Sequence, residues 1–227
     1  MKVLDLFSGL GGWSQAFKDR GHTVVTLDLE EKFNTTICKD IMEVTVADFA
    51  EWLPFDVVLA SPPCNCFSCL TIRYYWNKDK TPKNKKTLNA IEVVKKTLSL
   101  IDELNPKFWV IENPRGMLRL QSFMKKHHRK TVTYCQYGEK YQKPTDLWGH
   151  FPMAFKAKKC SANSKCHIKT KRGDRNFSTG GIKDNGTPEK RAMIPYGLSK
   201  EFCLACENPT HIRSLLFVSP RVAQENK

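Results

Sequence analysis

Residues 3–12 read VLDLFSGLGG, an apolar run that leads directly into a glycine-rich turn. The run has the composition of a buried strand, and the residues from the turn to position 20 have helical spacing. Similar strand patterns occur at 23–28, 55–60 and 108–112, and helical patterns occur at 48–53, 88–104, 117–125 and 198–207. Apolar strands that alternate with helices predict an α/β fold with a doubly wound, mostly parallel sheet covered on both faces.

Three of the predicted strands end in unusual polar sequences. These are SGLGG at 8–12, SPPC at 61–64 and NPRG at 113–116. In an open parallel sheet, ligands bind beyond the carboxyl ends of the strands. The topology therefore predicts that the three segments share one rim of the sheet and form a site there.

The glycine turn and Asp28 together predict a site for a nucleoside cofactor. Glycines let the backbone approach a ligand at the N-terminus of a helix. Asp28 ends the second predicted strand, 19 residues after Gly9, which is close to the spacing at which an acidic side chain binds ribose hydroxyls. A tight strand-to-helix turn without a ligand is the alternative.

Cys64 and Glu112 are the candidate reactive groups at the predicted rim. A thiolate near cationic groups is nucleophilic, and the basic residues 73–86 follow Cys64 closely. The alternatives are a buried structural cysteine or a metal site shared with Cys66 and Cys69. Glu112 is either a structural carboxylate or a general acid held protonated beside the nucleophile.

A net charge of +14 over 227 residues points to a polyanionic partner. Residues 73–86 carry six basic and one acidic side chain, and residues 156–191 carry eleven and three. Charge concentrated in two predicted loops favours nucleic-acid contact over a solubilising surface, which would mix signs. The aromatic run YYW at 74–76 either stacks on bases or anchors its loop to the core.

The hydrophobic pattern predicts a soluble, cytoplasmic chain without a membrane partner. No apolar run reaches the roughly 18 residues of a membrane span, and residue 1 leads directly into the first strand without a signal peptide. Nine cysteines in such a chain are expected to be reduced thiols.

The three strand-end motifs, in this order and spacing, resemble those of the cytosine-C5 methyltransferases. That family comprises S-adenosylmethionine-dependent enzymes of DNA, with one branch that acts on tRNA. The resemblance implies a Rossmann-like methyltransferase fold, S-adenosyl-L-methionine as cofactor and cytosine-containing double-stranded DNA as partner, with tRNA or catalytically silent nucleic-acid binding as alternatives. It covers about residues 1–150.

The same resemblance implies a role for individual residues. Cys64 would attack C6 of a flipped cytosine, and Glu112 would hydrogen-bond N3 and the exocyclic amine. The implied cofactor-binding residues are Phe7, Gly9, Gly11, Asp28, Asp40 and Pro62. The implied nucleic-acid-binding residues are Asn65, Ser68, Arg115 and Lys143. Asn65 stands where the family usually has Gln, and Lys143, Lys140 or Arg115 would supply the charge of arginines that the family carries near residue 142.

We predict three regions along the chain. Residues 1–150 form the catalytic domain, 151–190 a small basic target-recognition insertion, and 191–227 a C-terminal helix that packs back on the catalytic domain. Cys160, Cys166 and His167 lie in the insertion and could bind Zn with a fourth ligand from elsewhere, but Cys-x5-Cys-His is poor zinc-finger spacing, so we expect no metal. We expect the protein to be a monomer.

Overall fold

A computed structural model describes residues 1–161, 163–168 and 187–209. The strands are β1 (Lys2–Leu6), β2 (Thr23–Asp28), β3 (Ile37–Cys38), β4 (Val57–Ala60), β5 (Phe108–Pro114), β6 (Arg129–Thr133) and β7 (Pro144–His150). The α-helices are α1 (Gln15–Asp19), α2 (Ile72–Tyr75), α3 (Lys85–Leu104), α4 (Pro188–Ala192) and α5 (Tyr196–Glu207).

The seven strands form one sheet in the order β3-β2-β1-β4-β5-β7-β6. The five strands from β3 to β5 are parallel, whereas β7 runs antiparallel to both β5 and β6. The predicted doubly wound, mostly parallel α/β fold is confirmed. The order of the chain reverses between β1 and β4, which is where such sheets bind ligands.

Alternate residues of the central strands face opposite sides of the sheet and build two cores. Leu4 and Leu6 of β1 pack with Ile91 and Leu98 of α3, and Asn84 caps this helix by accepting from the Thr87 amide at 3.0 Å. On the other face, side chains of the sheet pack with side chains of α1, α5 and the turn before α1. They include Val3, Val57 and Leu59 of the strands, Trp13 of the turn, Phe17 of α1 and Phe202 of α5. The period-2 alternation of a strand explains why apolar residues occupy consecutive positions in these strands and not only alternate ones.

Helix α5 is held against α1 by both apolar and polar contacts. The Trp13 and Phe202 rings lie 5.6 Å apart, and the Ser199 hydroxyl accepts from the Ala16 amide at 3.2 Å. The predicted insertion and C-terminal region both extend into parts of the chain (162, 169–186 and 210–227) that lie outside the described residues.

Two predicted α-helices are short 3-10 segments in the structure. Residues 117–125 form the turns Met117–Leu120 and Ser122–Met124, and the segment predicted at 48–53 is the turn Val46–Phe49. Arg119 ties the first of these turns to β7 through a bidentate ion pair with the buried Asp146, at 2.6–2.8 Å. This tertiary contact favours the tight turn over a continuous helix.

None of the described helices is both long enough and apolar enough to cross a membrane.

Candidate active site

The glycine turn after β1 adopts backbone conformations that glycine favours. Gly9 has φ +49° and Gly11 has φ +76°, and the Gly11 amide donates to the Ser8 carbonyl at 2.7 Å. Phe7 also has a positive φ, of +59°. The turn therefore brings Phe7 and Gly9 to the rim at the end of β1, while Gly11 shapes the bend behind them.

Asp28 supports this turn from the end of the neighbouring strand. Its carboxylate accepts from the Gly9 amide at 2.9 Å and from the Glu30 amide at 3.1 Å. The parallel pairing of β1 with β2 places Asp28 beside the turn, and its oxygens retain lone pairs for ligand hydroxyls. Asp40 begins the 3-10 turn Ile41–Glu43, where it accepts from the Met42 amide at 2.9 Å.

Two adjoining clefts follow this rim and share Phe7, Phe33 and Ser61 in their walls. The larger has a volume of about 350 Å³, and the residues that complete its lining include Asp28, Leu29, Glu30, Asp40, Pro63 and Val93. The smaller, of about 150 Å³, is lined further by Asp5, Ser8, Gly9, Trp13, Met193 and Ile194.

The clefts fit a cationic nucleoside cofactor such as S-adenosylmethionine. Three buried oxygens in their walls, Asp5 Oδ1, Ser8 Oγ and Ser61 Oγ, make no hydrogen bond within the described protein. Acidic side chains also concentrate there, which suits a sulfonium and an ammonium group. Pro62 is buried, and its carbonyl accepts from Asn113 Nδ2 at 3.0 Å, so its neighbours Ser61 and Pro63 form the wall.

The segment 189–195 covers the glycine turn, which sequence reasoning did not anticipate in detail. A Cβ on Gly12 would lie 2.7 Å from Met193 Cγ and 2.9 Å from the Ile194 backbone. Glu189 forms an ion pair with Lys32 at 3.0 Å across the mouth of the smaller cleft. The smaller cleft is thus completed by residues far away in sequence.

Cys64 lies just after β4 in a tight loop, where its carbonyl accepts from the Phe67 and Ser68 amides at 2.9 and 3.0 Å. The thiol is half-buried. Burial raises its pKa and the charge of Glu112 raises it further, while the Lys143 ammonium lowers it. These influences mean that Cys64, Glu112 and Lys143 act on one another electrostatically within one site.

Glu112 is buried in β5, next to β4. Tyr134 donates its hydroxyl hydrogen to Glu112 Oε1 at 3.0 Å, and Lys143 Nζ lies 4.4 Å from the centre of the Tyr134 ring. Burial raises the pKa of Glu112, against the lowering effects of Lys143 and the Tyr134 hydrogen bond. Burial therefore favours the protonated form of Glu112 more than it does for a carboxyl group in water.

Gly116 lets the Cys64 loop approach the end of β5. The Met117 amide donates to the Phe67 carbonyl at 2.7 Å, and a Cβ on Gly116 would lie 2.0 Å from that same oxygen. Asn65 and Arg115 are exposed on the surface above, and Ser68 forms a bridge with Gly116. Asn65 and Ser68 therefore lie on the Cys64 loop, and Arg115 lies at the end of β5 that this loop contacts.

The aromatic residues at 74–76 differ in burial, which separates the anchoring role considered for them from the base-stacking role. Trp76 is buried, and its Nε1 donates to the Cys66 carbonyl at 2.6 Å. Tyr75 is half-buried, whereas Tyr74 is 54% exposed and packs against the Arg73 guanidinium. Trp76 therefore anchors the loop to the core, and Tyr74 is left accessible beside its cations.

The fold and the site together define the chain as an α/β methyltransferase. The family model described as C-5 cytosine-specific DNA methylase matches residues 1–142, and the chain belongs to this family. The resemblance that the motifs indicated is confirmed.

Three relatives illustrate the similarity. The chain is 31% identical over 172 residues to a Frog virus 3 protein named probable DNA (cytosine-5)-methyltransferase, which covers 73% of this chain and 78% of that protein. It is 29% identical over 142 residues to the type II methyltransferase M.DdeI of Desulfomicrobium norvegicum, covering 54% and 30% of the two chains. It is 26% identical over 130 residues to the tRNA (cytosine(38)-C(5))-methyltransferase of Mus musculus, covering 51% and 29%.

Proposed function

We propose that the protein transfers a methyl group from S-adenosylmethionine to C5 of a cytosine in DNA. The observation that carries the proposal is the pairing of a half-buried thiol with a buried carboxyl group, Cys64 and Glu112, at adjacent strand ends. Both lie on the rim that carries the acidic cofactor clefts.

The cofactor supplies an electrophilic methyl group when it is bound. Phe7, Gly9 and the open oxygens of Asp5, Ser8 and Ser61 would hold its methionine part. Asp28 would accept from its ribose hydroxyls, and Asp40 lies at the far end of the larger cleft, where the adenine would bind.

Cys64 activates the base. C5 of cytosine is a poor nucleophile until a group adds at C6, so the Cys64 sulfur first forms a bond to C6. Protonated Glu112 donates to N3 while its other oxygen accepts from the exocyclic amine, which stabilises the electrons that reach the ring. C5 then takes the methyl group. Loss of the C5 proton to solvent and cleavage of the sulfur–C6 bond, whose electron pair returns to sulfur, restore the aromatic base and release the Cys64 thiolate.

The target base must leave its helix to reach Cys64. The exposed Asn65 and Arg115 and the cationic segment 73–86 surround the site and would bind the phosphate backbone and the displaced strand. Charge on this side of the molecule supports a polyanionic substrate.

The test is tritium transfer from labelled S-adenosylmethionine to DNA. Wild-type protein is expected to label DNA, and Cys64→Ala to lose at least about a thousandfold in rate while it still binds S-adenosylhomocysteine. Cys206→Ala, which removes a remote buried thiol in α5, is the matched control and should remain active. Undiminished labelling by Cys64→Ala would refute the covalent mechanism.

A tRNA substrate is the second candidate, supported by similarity to the mouse tRNA methyltransferase. Only residues 151–190 are available for target recognition, fewer than an independent domain usually needs. The same assay with tRNA in place of DNA separates the two substrates. Calorimetry with S-adenosylhomocysteine tests the silent alternative, which predicts DNA binding without cofactor binding.

A further inference from the structure

Four metal-ligand side chains converge on one point away from the catalytic rim: Cys135, Cys160, Cys166 and His167. Their ligand atoms all lie within 4.8 Å of one another. Cys135 Sγ lies 3.2 Å from Cys160 Sγ and 3.6 Å from Cys166 Sγ. His167 Nδ1 lies 3.7 Å from Cys160 Sγ and 3.6 Å from Cys166 Sγ.

Three of these four separations lie within about 0.2 Å of the edges of a zinc coordination tetrahedron. With Zn–S bonds of about 2.3 Å and a Zn–N bond of about 2.0–2.1 Å, tetrahedral geometry gives S···S edges near about 3.8 Å and S···N edges near about 3.6 Å. The Cys135–Cys166, Cys160–His167 and Cys166–His167 separations agree with these values, and the Cys135–Cys160 separation of 3.2 Å is shorter. Random packing of three thiols and an imidazole has no reason to produce this set.

The surrounding groups suit thiolate ligands. Gln142 Nε2 donates to Cys160 Sγ at 3.3 Å, and Gln136 Nε2 donates to Cys166 Sγ at 3.2 Å. Hydrogen bonds from amide N–H groups to ligating sulfur orient the ligands and offset their negative charge. The Cys160 amide is fixed in turn by Thr133 Oγ1 at 2.9 Å.

We propose that Cys135, Cys160, Cys166 and His167 bind one Zn²⁺ ion. Four protein ligands close the coordination sphere and leave no position for a reactive water, so the site is structural. The sequence expectation of no metal rested on Cys160, Cys166 and His167 alone. Cys135 supplies the fourth ligand from 25 residues earlier in the chain.

The ion would join segments that are separated along the chain. Cys135 belongs to the 3-10 turn Tyr134–Tyr137, and Cys160, Cys166 and His167 lie in the basic segment 156–191 that follows β7. Tyr134 of that turn is the hydrogen-bond partner of Glu112. The site thus fixes the start of the predicted target-recognition insertion to the turn that supports the catalytic carboxyl group.

The test is zinc content and cobalt substitution in the full chain, purified without chelators. Wild-type protein should contain about one zinc per chain, and Co²⁺ in its place should give the sulfur-to-metal charge-transfer and intense visible bands of a tetrahedral thiolate site. Cys160→Ser should lose the zinc. His167→Cys, which keeps four ligands, should retain it, as should the control Cys206→Ala.

These variants separate loss of zinc binding from loss of folding. His167→Cys still tests the zinc site even if Cys160→Ser folds poorly. The proposal is overturned if wild-type protein contains less than about a tenth of an equivalent of zinc and the reduced apoprotein gives no cobalt–thiolate bands. A Cys135–Cys160 disulfide in freshly purified protein, detected by mass spectrometry, would also overturn it. Because every readout is metal content or spectrum, failure here leaves the methyltransferase proposal untouched.

Discussion

The Tyr134 hydroxyl donates to Glu112 Oε1 at 3.0 Å, so the carboxyl group placed by β5 depends on a side chain that follows β6. This hydrogen bond lowers the pKa of Glu112 against the larger raising effect of burial. In Tyr134→Phe we expect the pKa of Glu112 to rise further and the free energy of unfolding to fall by about 1 kcal/mol. Carbon-13 NMR of labelled glutamate follows the titration.

Tyr137→Phe is the control for this variant. The Tyr137 hydroxyl accepts from the Lys158 amide at 2.9 Å and does not touch Glu112. Removal of the Tyr137 hydroxyl should leave the pKa of Glu112 unchanged. Equal shifts in the two variants would contradict a specific role of Tyr134.

Lys143 tunes the reactivity of Cys64. Because its ammonium lowers the pKa of the Cys64 thiol, Lys143→Gln should raise that pKa and reduce the thiolate fraction at pH 8. Alkylation of Cys64 by iodoacetamide, followed by mass spectrometry of its peptide, should slow by about threefold. Lys140→Gln removes a neighbouring lysine and should leave the rate unchanged; a similar loss in both variants would argue for a general charge effect.

Asp28 is expected to contribute to cofactor affinity, partly because it supports the glycine turn. Asp28→Ala removes the acceptor of the Gly9 and Glu30 amides and the proposed acceptor of the ribose hydroxyls. We expect S-adenosylhomocysteine to bind about tenfold more weakly or worse, as measured by calorimetry. The exposed Glu43→Gln is the control, and unchanged affinity in Asp28→Ala would place the ribose elsewhere.

Gly116 is expected to be needed for the position of the loop that carries Cys64, and therefore for the rate of methyl transfer. A Cβ at this position would meet the Phe67 carbonyl at 2.0 Å, so Gly116→Ala should displace the loop that carries Cys64. Methyl transfer should fall at least about tenfold, since small displacements of a reacting group are costly.

Gly21→Ala provides the comparison for this loss. Gly21 has φ +76° and nothing within 4 Å of its Cβ position, so alanine there strains the backbone by about 1–2 kcal/mol without a clash. Both variants should melt at lower temperatures than wild type, but only Gly116→Ala should lose turnover per folded molecule. Full turnover in Gly116→Ala would show that the loop tolerates the displacement.

Asp5 makes stability depend on pH. Burial raises its pKa from 3.8 to about 7, against a lowering hydrogen bond from Ser14. The folded state therefore holds a proton that the unfolded chain releases at lower pH, and this contribution to stability is lost as the pH rises from about 4 to about 7. Relative to wild type, Asp5→Asn should gain roughly 4 kcal/mol between these limits.

Urea unfolding without cofactor at pH 5 and pH 8 measures the part of this difference that develops above pH 5, roughly 3 kcal/mol. Asn resembles the protonated carboxyl group and can still accept from the Ser14 hydroxyl. The exposed Asp79→Asn should show the wild-type pH dependence. A constant offset between Asp5→Asn and wild type at both pH values would mean that Asp5 keeps an ordinary pKa.

Local pattern predicted four of the five parallel strands, β1, β2, β4 and β5, and the residues at their ends, but it missed the two-residue β3. Continuous apolar runs are typical of strands buried on both faces, and parallel strands bring their carboxyl ends to one rim. Gly9, Asp28, Cys64 and Glu112 could therefore be grouped before any coordinates were known. Trp76 could not be assigned, because an aromatic residue among lysines fits either a base-stacking or a buried position.

The chain's own pattern of residues determined the α/β class, the order of the strand-end motifs and the family, since these depend on short-range periodicity and spacing. Only tertiary packing decided that β6 and β7 pair, that Tyr134 reaches Glu112, that Met193 and Ile194 close the cofactor cleft and that Cys135 joins Cys160. Each of these contacts joins segments far apart in sequence whose local composition is mixed. Their free energy comes from the assembled core, so a short stretch of sequence cannot predict them.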